Sequence, residues 1–154
     1  MIDAPWVAES PAQLVALIRL RVPPHEMQMV MGPGIGEVFT AVQEQGLTPT
    51  GPWFNHHFAQ PTDVFDFAIC VPVASPITAV GRVEPAVRRA STVVRTNYRG
   101  PYERLGEAWG QFFTAVEAEG HRCADDFWEC YVRGPESESD PESYLTELTR
   151  PIIR

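Results

Sequence analysis

Residues 36–46 read GEVFTAVQEQG and residues 110–120 read GQFFTAVEAEG. The shift that joins them, 74 residues, also carries Gly32 onto Gly106 and Arg21 onto Arg95 without a gap. Self-similarity at a fixed offset means two copies of one supersecondary unit. Each copy has an apolar sheet face, which the other can cover. The expectation is a single α+β domain over residues 1–154. It is a duplicated strand-helix-strand-strand unit about a pseudo-twofold axis, with an antiparallel central sheet and two main helices. Copy one covers residues 14–74 and copy two residues 82–152.

Within copy one, the apolar run 14–22 ends at Pro23-Pro24 and predicts a strand. Gly32-Pro33-Gly34 predicts a loop. Ile35, Val38, Phe39 and Val42 recur at helical spacing, and Gly46 supplies a stop. Strands follow at 53–58 and 64–73, joined by a turn at 60–63. The second strand sets Phe65, Phe67, Ile69 and Val71 on one face. Within copy two, extended segments at 82–87 and 90–98 precede a turn at 99–101. A helix over 102–119 then sets Trp109, Phe112, Phe113 and Val116, the partners of Ile35, Val38, Phe39 and Val42, on one stripe. Strands at 127–132 and 144–149 close the copy, on either side of an acidic loop at 134–142.

Composition excludes several classes. The net charge of −8 argues against direct nucleic-acid binding, which needs a basic face, and favours cationic partners. No apolar run approaches the ~20 residues of a membrane span. The first ten residues lack the basic start of a secretory signal. Three widely spaced cysteines, Cys70, Cys123 and Cys130, fit reduced thiols in a cytoplasmic protein. They give no metal-ligand spacing, and no motif calls for a metal or cofactor. His56 and His57 have opposite strand parity, so they do not form a metal pair.

Chemistry concentrates on residues 127–132, FWECYV, where alternation sets Phe127, Glu129 and Tyr131 on one face. A lone acid in so apolar a strand either points to solvent or sits in a pocket with a task. The repeat pairs Asn55 with Glu129, His57 with Tyr131 and Trp53 with Phe127. Packing of the copies about a twofold axis would bring these polar groups together inside aromatic walls, the usual make-up of a small-molecule site. Blander roles stand beside this one. His57 could be a surface histidine, Tyr98 and Tyr102 could anchor the turn before the helix, and Trp109 could be core.

Three segments in order resemble the GyrI-like (gyrase-inhibitor-like) effector-binding domains. YRGPYERL at 98–105 resembles that family's His-x-Gly-Pro-Tyr-x-x-Leu turn into the second helix. FWECY at 127–131 resembles its Pro-Trp-Glu-x-Tyr strand, and LTELTRPI at 145–152 its closing Thr-Glu-x-x-x-Pro-aliphatic strand. GPWF at 51–54 and VPV at 71–73 also fit. The resemblance spans about residues 14–152. It implies a duplicated fold with a ligand pocket between the halves, sensing hydrophobic and often cationic molecules. Such domains are commonly fused behind a DNA-binding domain, and some stand-alone members hydrolyse strained electrophilic toxins. The family's acidic pocket residue maps to Glu129. Two departures alter the pocket wall: Tyr98 stands where a histidine is common, and Asn55-His56-His57 where an aliphatic-tyrosine pair is common.

The leading expectation is a stand-alone sensor or sequestering protein for a small hydrophobic, cationic or aromatic ligand, with a partner protein possible. Its binding residues would be Glu129, Tyr131, Phe127, Trp53, Asn55, His57, Tyr98, Tyr102 and Trp109. The alternative is a hydrolase in which Glu129, raised in pKa by an apolar pocket, acts as general acid or base. No G-x-S-x-G, H-E-x-x-H or phosphate loop supports an enzyme. A third reading is a protein-inhibiting module acting through the acidic loop that holds Glu136, Glu138 and Asp140.

Overall fold

The computed structural model describes residues 2–60 and 62–153. The chain forms two compact units, Pro11–Ala90 and Met1–Ser10 with Ser91–Arg154. All strand pairings within each are antiparallel, and each carries one main helix, so the α+β class holds.

The unit of residues 11–90 contains β2 (Gln13–Val22), α1 (Met27–Glu44), β3 (Phe54–His57), β4 (Phe65–Pro72) and β5 (Glu84–Arg88). β4 pairs with β3 on one side and β2 on the other, and β5 pairs with the far edge of β2. β1 (Trp6–Ser10) belongs to the second unit, with β6 (Ser91–Arg99), α2 (Leu105–Ala118), β7 (Phe127–Arg133) and β8 (Leu145–Pro151). There β8 lies between β7 and β6, and β1 pairs with the far edge of β6. The order strand, helix, strand, strand therefore recurs in both units, with the same pairing pattern.

Each core forms between one sheet face and one helix. Ala16, Ile18 and Leu20 of β2 and Phe67, Ile69 and Val71 of β4 pack with Val38, Ala41 and Val42 of α1. Phe65 joins them partly buried, so the whole predicted stripe of β4 faces inward. In the second unit Val94, Tyr98 and Leu148 pack with Ala108, Phe112 and Val116 of α2. α1 stops just before the predicted Gly46, and α2 just before Gly120, its counterpart in the repeat. Gly46 and Gly120 have φ of 74° and 80°, which only glycine adopts freely, and the next amide bonds back to Val42 or Val116.

Several expectations are corrected. Gly32-Pro33-Gly34 lies inside α1, not in a loop. Pro33 removes one helical hydrogen bond, a cost of about 3 kcal/mol. Burial offsets it, because Met27, Val30 and Met31 extend the inward stripe towards the helix start. Residues 82–87, assigned by sequence to the second copy, fall in the first unit, where β5 adds to β2. Residues 6–10, outside both expected copies, form β1 along β6. Residues 102–104 form a tighter 3-10 turn before α2. The predicted turn at 60–63 includes Pro61, which lies outside the described residues, as do Met1 and Arg154. Among the described residues, no helix is long and apolar enough to cross a membrane.

Gly34 shows how closely α1 rests on its sheet. A Cβ there would stand 2.6 Å from Ile69 Cδ1, and Ile69 is fully buried. Gly34→Ala should therefore destabilise the protein by about 1–2 kcal/mol, despite the roughly 1 kcal/mol helix preference of alanine over glycine. In an Ile69→Val background the clashing methyl is gone, and the same change should become neutral or stabilising. Urea denaturation of the four proteins measures this coupling.

Candidate functional site

The site is built on β7. Its pairing with β8 sets Glu129 opposite Leu148 and Tyr131 opposite Thr146. Leu148 packs under α2, so Glu129 and Tyr131 share the helix-facing side of the sheet. The alternation ends there. A register shift between Tyr131 and Arg133 leaves Val132 as an extra residue, and it is exposed.

Glu129 is only 7% exposed. The indole Nε1–H of Trp109 donates to one carboxylate oxygen at 2.7 Å, and the Tyr131 hydroxyl donates to the other at 2.5 Å. An ionised carboxylate has only acceptors to offer, so a donor on each oxygen holds it in a place where bare charge would be costly. Trp109 also packs on Phe127, with ring centroids 4.6 Å apart, and on Phe112 and Phe113. Phe113 meets Phe127 edge to face. On Phe113 lies the Arg150 guanidinium, 4.1 Å from the ring centre.

On the other side, Tyr131 meets Tyr102 edge to face at 5.7 Å, and Tyr102 meets Tyr144 at 5.1 Å. The Gly100 amide donates to the Tyr144 carbonyl and clamps the two segments that present these rings. Tyr102 is 37% exposed and gives the cluster an accessible wall. Partial burial pushes its phenol up to about 12, helped by the nearby charges of Glu136, Tyr144 and Glu129.

The structure thus brings Glu129, Tyr131, Phe127, Trp109 and Tyr102 together. Tyr98 is buried against α2, and its hydroxyl donates to the Pro101 carbonyl at 2.7 Å, the anchoring role. Asn55, His57 and Trp53 belong to the other unit. There Asn55 Nδ2 reaches Met31 Sδ at 3.9 Å, His57 stacks on Phe67, and Trp53 packs against the core. Phe113 and Tyr144 also belong to the cluster, though neither is among the expected binding residues. Phe113 had a signal, since it shares the α2 stripe with Trp109. Tyr144 had none, because only the turn closure sets it on Tyr102. Among the described residues, no group of three or more His, Cys, Asp or Glu is placed to hold a metal.

A raised phenol sets a pH dependence. Between about pH 10 and 12 the unfolded chain loses the Tyr102 proton while the folded chain keeps it, so stability falls as pH rises through that window. Ultraviolet titration should show a phenol resisting ionisation above pH 10 that is missing in Tyr102→Phe. The variant should also lose stability less steeply over the same window.

A family model described as the GyrI-like small molecule binding domain matches residues 5–153. No curated protein gives a significant match. Among solved structures, the EcmrR C-terminal domain aligns with a TM-score of 0.86 at 25% identity, covering 97% of this chain and 97% of that one. EcmrR in its DNA complex aligns equally well, with 25% identity and a TM-score of 0.86 over 99% of this chain. The match spans 58% of that EcmrR chain. SAV2435 bound to tetraphenylphosphonium aligns with a TM-score of 0.68 at 10% identity, over 97% of this chain and 93% of that one. A hydrolase from Listeria innocua aligns with a TM-score of 0.67 at 13% identity, over 97% and 91%. The last two likenesses are of fold alone.

Proposed function

This chain belongs to the GyrI-like small molecule binding domain family, and on that premise we propose that it binds a lipophilic aromatic cation against Glu129. The observation that supports this is a buried carboxylate fixed by two donors and walled by aromatic rings. A negative charge in a low-dielectric setting attracts a cation more strongly than one in water. A small hydrated cation would forfeit much of its hydration on entry. A cation with its charge spread over aromatic rings is weakly hydrated and gains stacking and cation–π contacts instead. Arg150 on Phe113 illustrates this preference with the protein's own delocalised cation. Tetraphenylphosphonium, bound by SAV2435, has the required chemistry. Binding would act through sequestration or through a partner that reads the occupied state, as an effector-binding domain does.

Hydrolysis would use the same carboxylate. Yet an anion whose two oxygens each already accept a hydrogen bond is better set to hold charge than to take a proton from water. The hydrolase-named neighbour shares the fold at 13% identity and adds no residue-level support.

Titration calorimetry with tetraphenylphosphonium tests the reading. Glu129→Gln should weaken binding at least about tenfold, or roughly 1.4 kcal/mol. Glutamine turns an NH2 towards one of the two donors, so a stability loss of about 1–3 kcal/mol is also expected. Trp109→Phe, which keeps the ring packing and removes one donor, should weaken binding less. A folded Glu129→Gln protein with unchanged affinity would reject the role.

A further inference from the structure

Beyond Glu129, the tyrosine wall leads to a second carboxylate. The Gly134 carbonyl accepts from the Ser137 and Glu138 amides at 3.0 and 2.9 Å, which fixes a tight turn with Glu136 on it. A Cβ on Gly134 would lie 2.6 Å from the Tyr102 hydroxyl and 3.4 Å from each Glu136 carboxylate oxygen. Gly134 is buried, so that space lies within the protein and the Tyr102 hydroxyl fills it from one side. Glu136 is therefore folded back towards the far end of the Tyr102 ring, while its residue stays exposed. The near side of Tyr102 packs on Tyr131, whose hydroxyl touches Glu129. One continuous path runs from Glu129 through two aromatic rings to Glu136.

We infer that this wall selects flat aromatic dications, one charge at Glu129 and the other at Glu136. The inference rests on the Glu129 reading and specifies its ligand class. The two carboxylates do different work. Glu129 is buried and supplies most of the attraction. Glu136 is open to water, so its contribution is smaller and screened by salt. A rigid ligand with a positive charge at each end can engage both along the rings between them. A monocation of the same shape can engage only one. Electrostatic effects of the turn already reach the wall, since Glu136 and Glu129 both raise the Tyr102 phenol.

The test compares two probes of nearly the same size and shape, the dication 1,1'-dimethyl-4,4'-bipyridinium and the monocation N-methyl-4-phenylpyridinium. At about 0.15 M salt, the dication should bind about three- to fivefold tighter. Glu136→Gln should bring the ratio close to one. Glu138→Gln, a charge change on the same loop, should leave the ratio intact. Equal affinities for the wild-type protein would overturn the inference. So would a ratio that survives Glu136→Gln or falls equally in Glu138→Gln, since the preference would then come from diffuse charge. In all three cases a monocation that still depends on Glu129 leaves the underlying reading standing. Binding of neither probe by a protein that still binds tetraphenylphosphonium through Glu129 would overturn the inference alone, whereas tetraphenylphosphonium binding indifferent to Glu129→Gln would remove both.

Discussion

The hydrogen bond from the Trp109 indole to Glu129 ties the helix to the strand beneath it and fixes the chemistry of the cluster. A carboxylate with this little exposure needs donors, and a backbone strand engaged in its own ladder leaves few to spare. Trp109 supplies one from α2 and Tyr131 supplies the other from two residues along the same strand. Trp109 also stacks on Phe127 and Phe112, so one side chain serves both packing and charge. Moving α2 by part of a turn would remove the donor and open the aromatic contacts together.

The rest of the second unit keeps this arrangement in register. Phe112, Ala108 and Val116 seat α2 on Val94, Tyr98 and Leu148. Leu148 faces Glu129 across the β7–β8 ladder, so the packing that seats the helix also sets the height of the carboxylate. The Tyr98 hydroxyl ties the end of β6 to Pro101, just before the turn that presents Tyr102. The first unit follows the same plan, with α1 on β2 and β4, but polar residues of β3 take the equivalent sequence places. Asn55 turns to a methionine sulfur and His57 to phenylalanine rings.

Much of this was legible in the residues. The strands β2, β4, β6, β7 and β8 follow apolar alternation, and the inward stripes of both helices follow the 3.6-residue period. The Gly46 stop was visible, as was Glu129 with its aromatic flanks. The misses share a cause. The Gly-Pro-Gly segment of α1 has poor local helix preference, and burial against β4 outweighs it. β1 is an edge strand whose partner, not its own composition, makes it a strand, while β5, expected as an extended segment, differs only in pairing with β2 in the first unit. Tyr144 meets Tyr102 only because a backbone hydrogen bond closes the distance.

The amino-acid order alone determined the periodicity of the main elements, the placing of one acid within an apolar strand, and the family motifs around it. Those are local patterns, and a chain carries them wherever it folds. Tertiary structure decided whether Glu129 meets solvent or donors, which tyrosine becomes an anchor and which a wall, and where Glu136 points. Each of those depends on groups distant in sequence meeting at hydrogen-bond or van der Waals range, which no local pattern encodes.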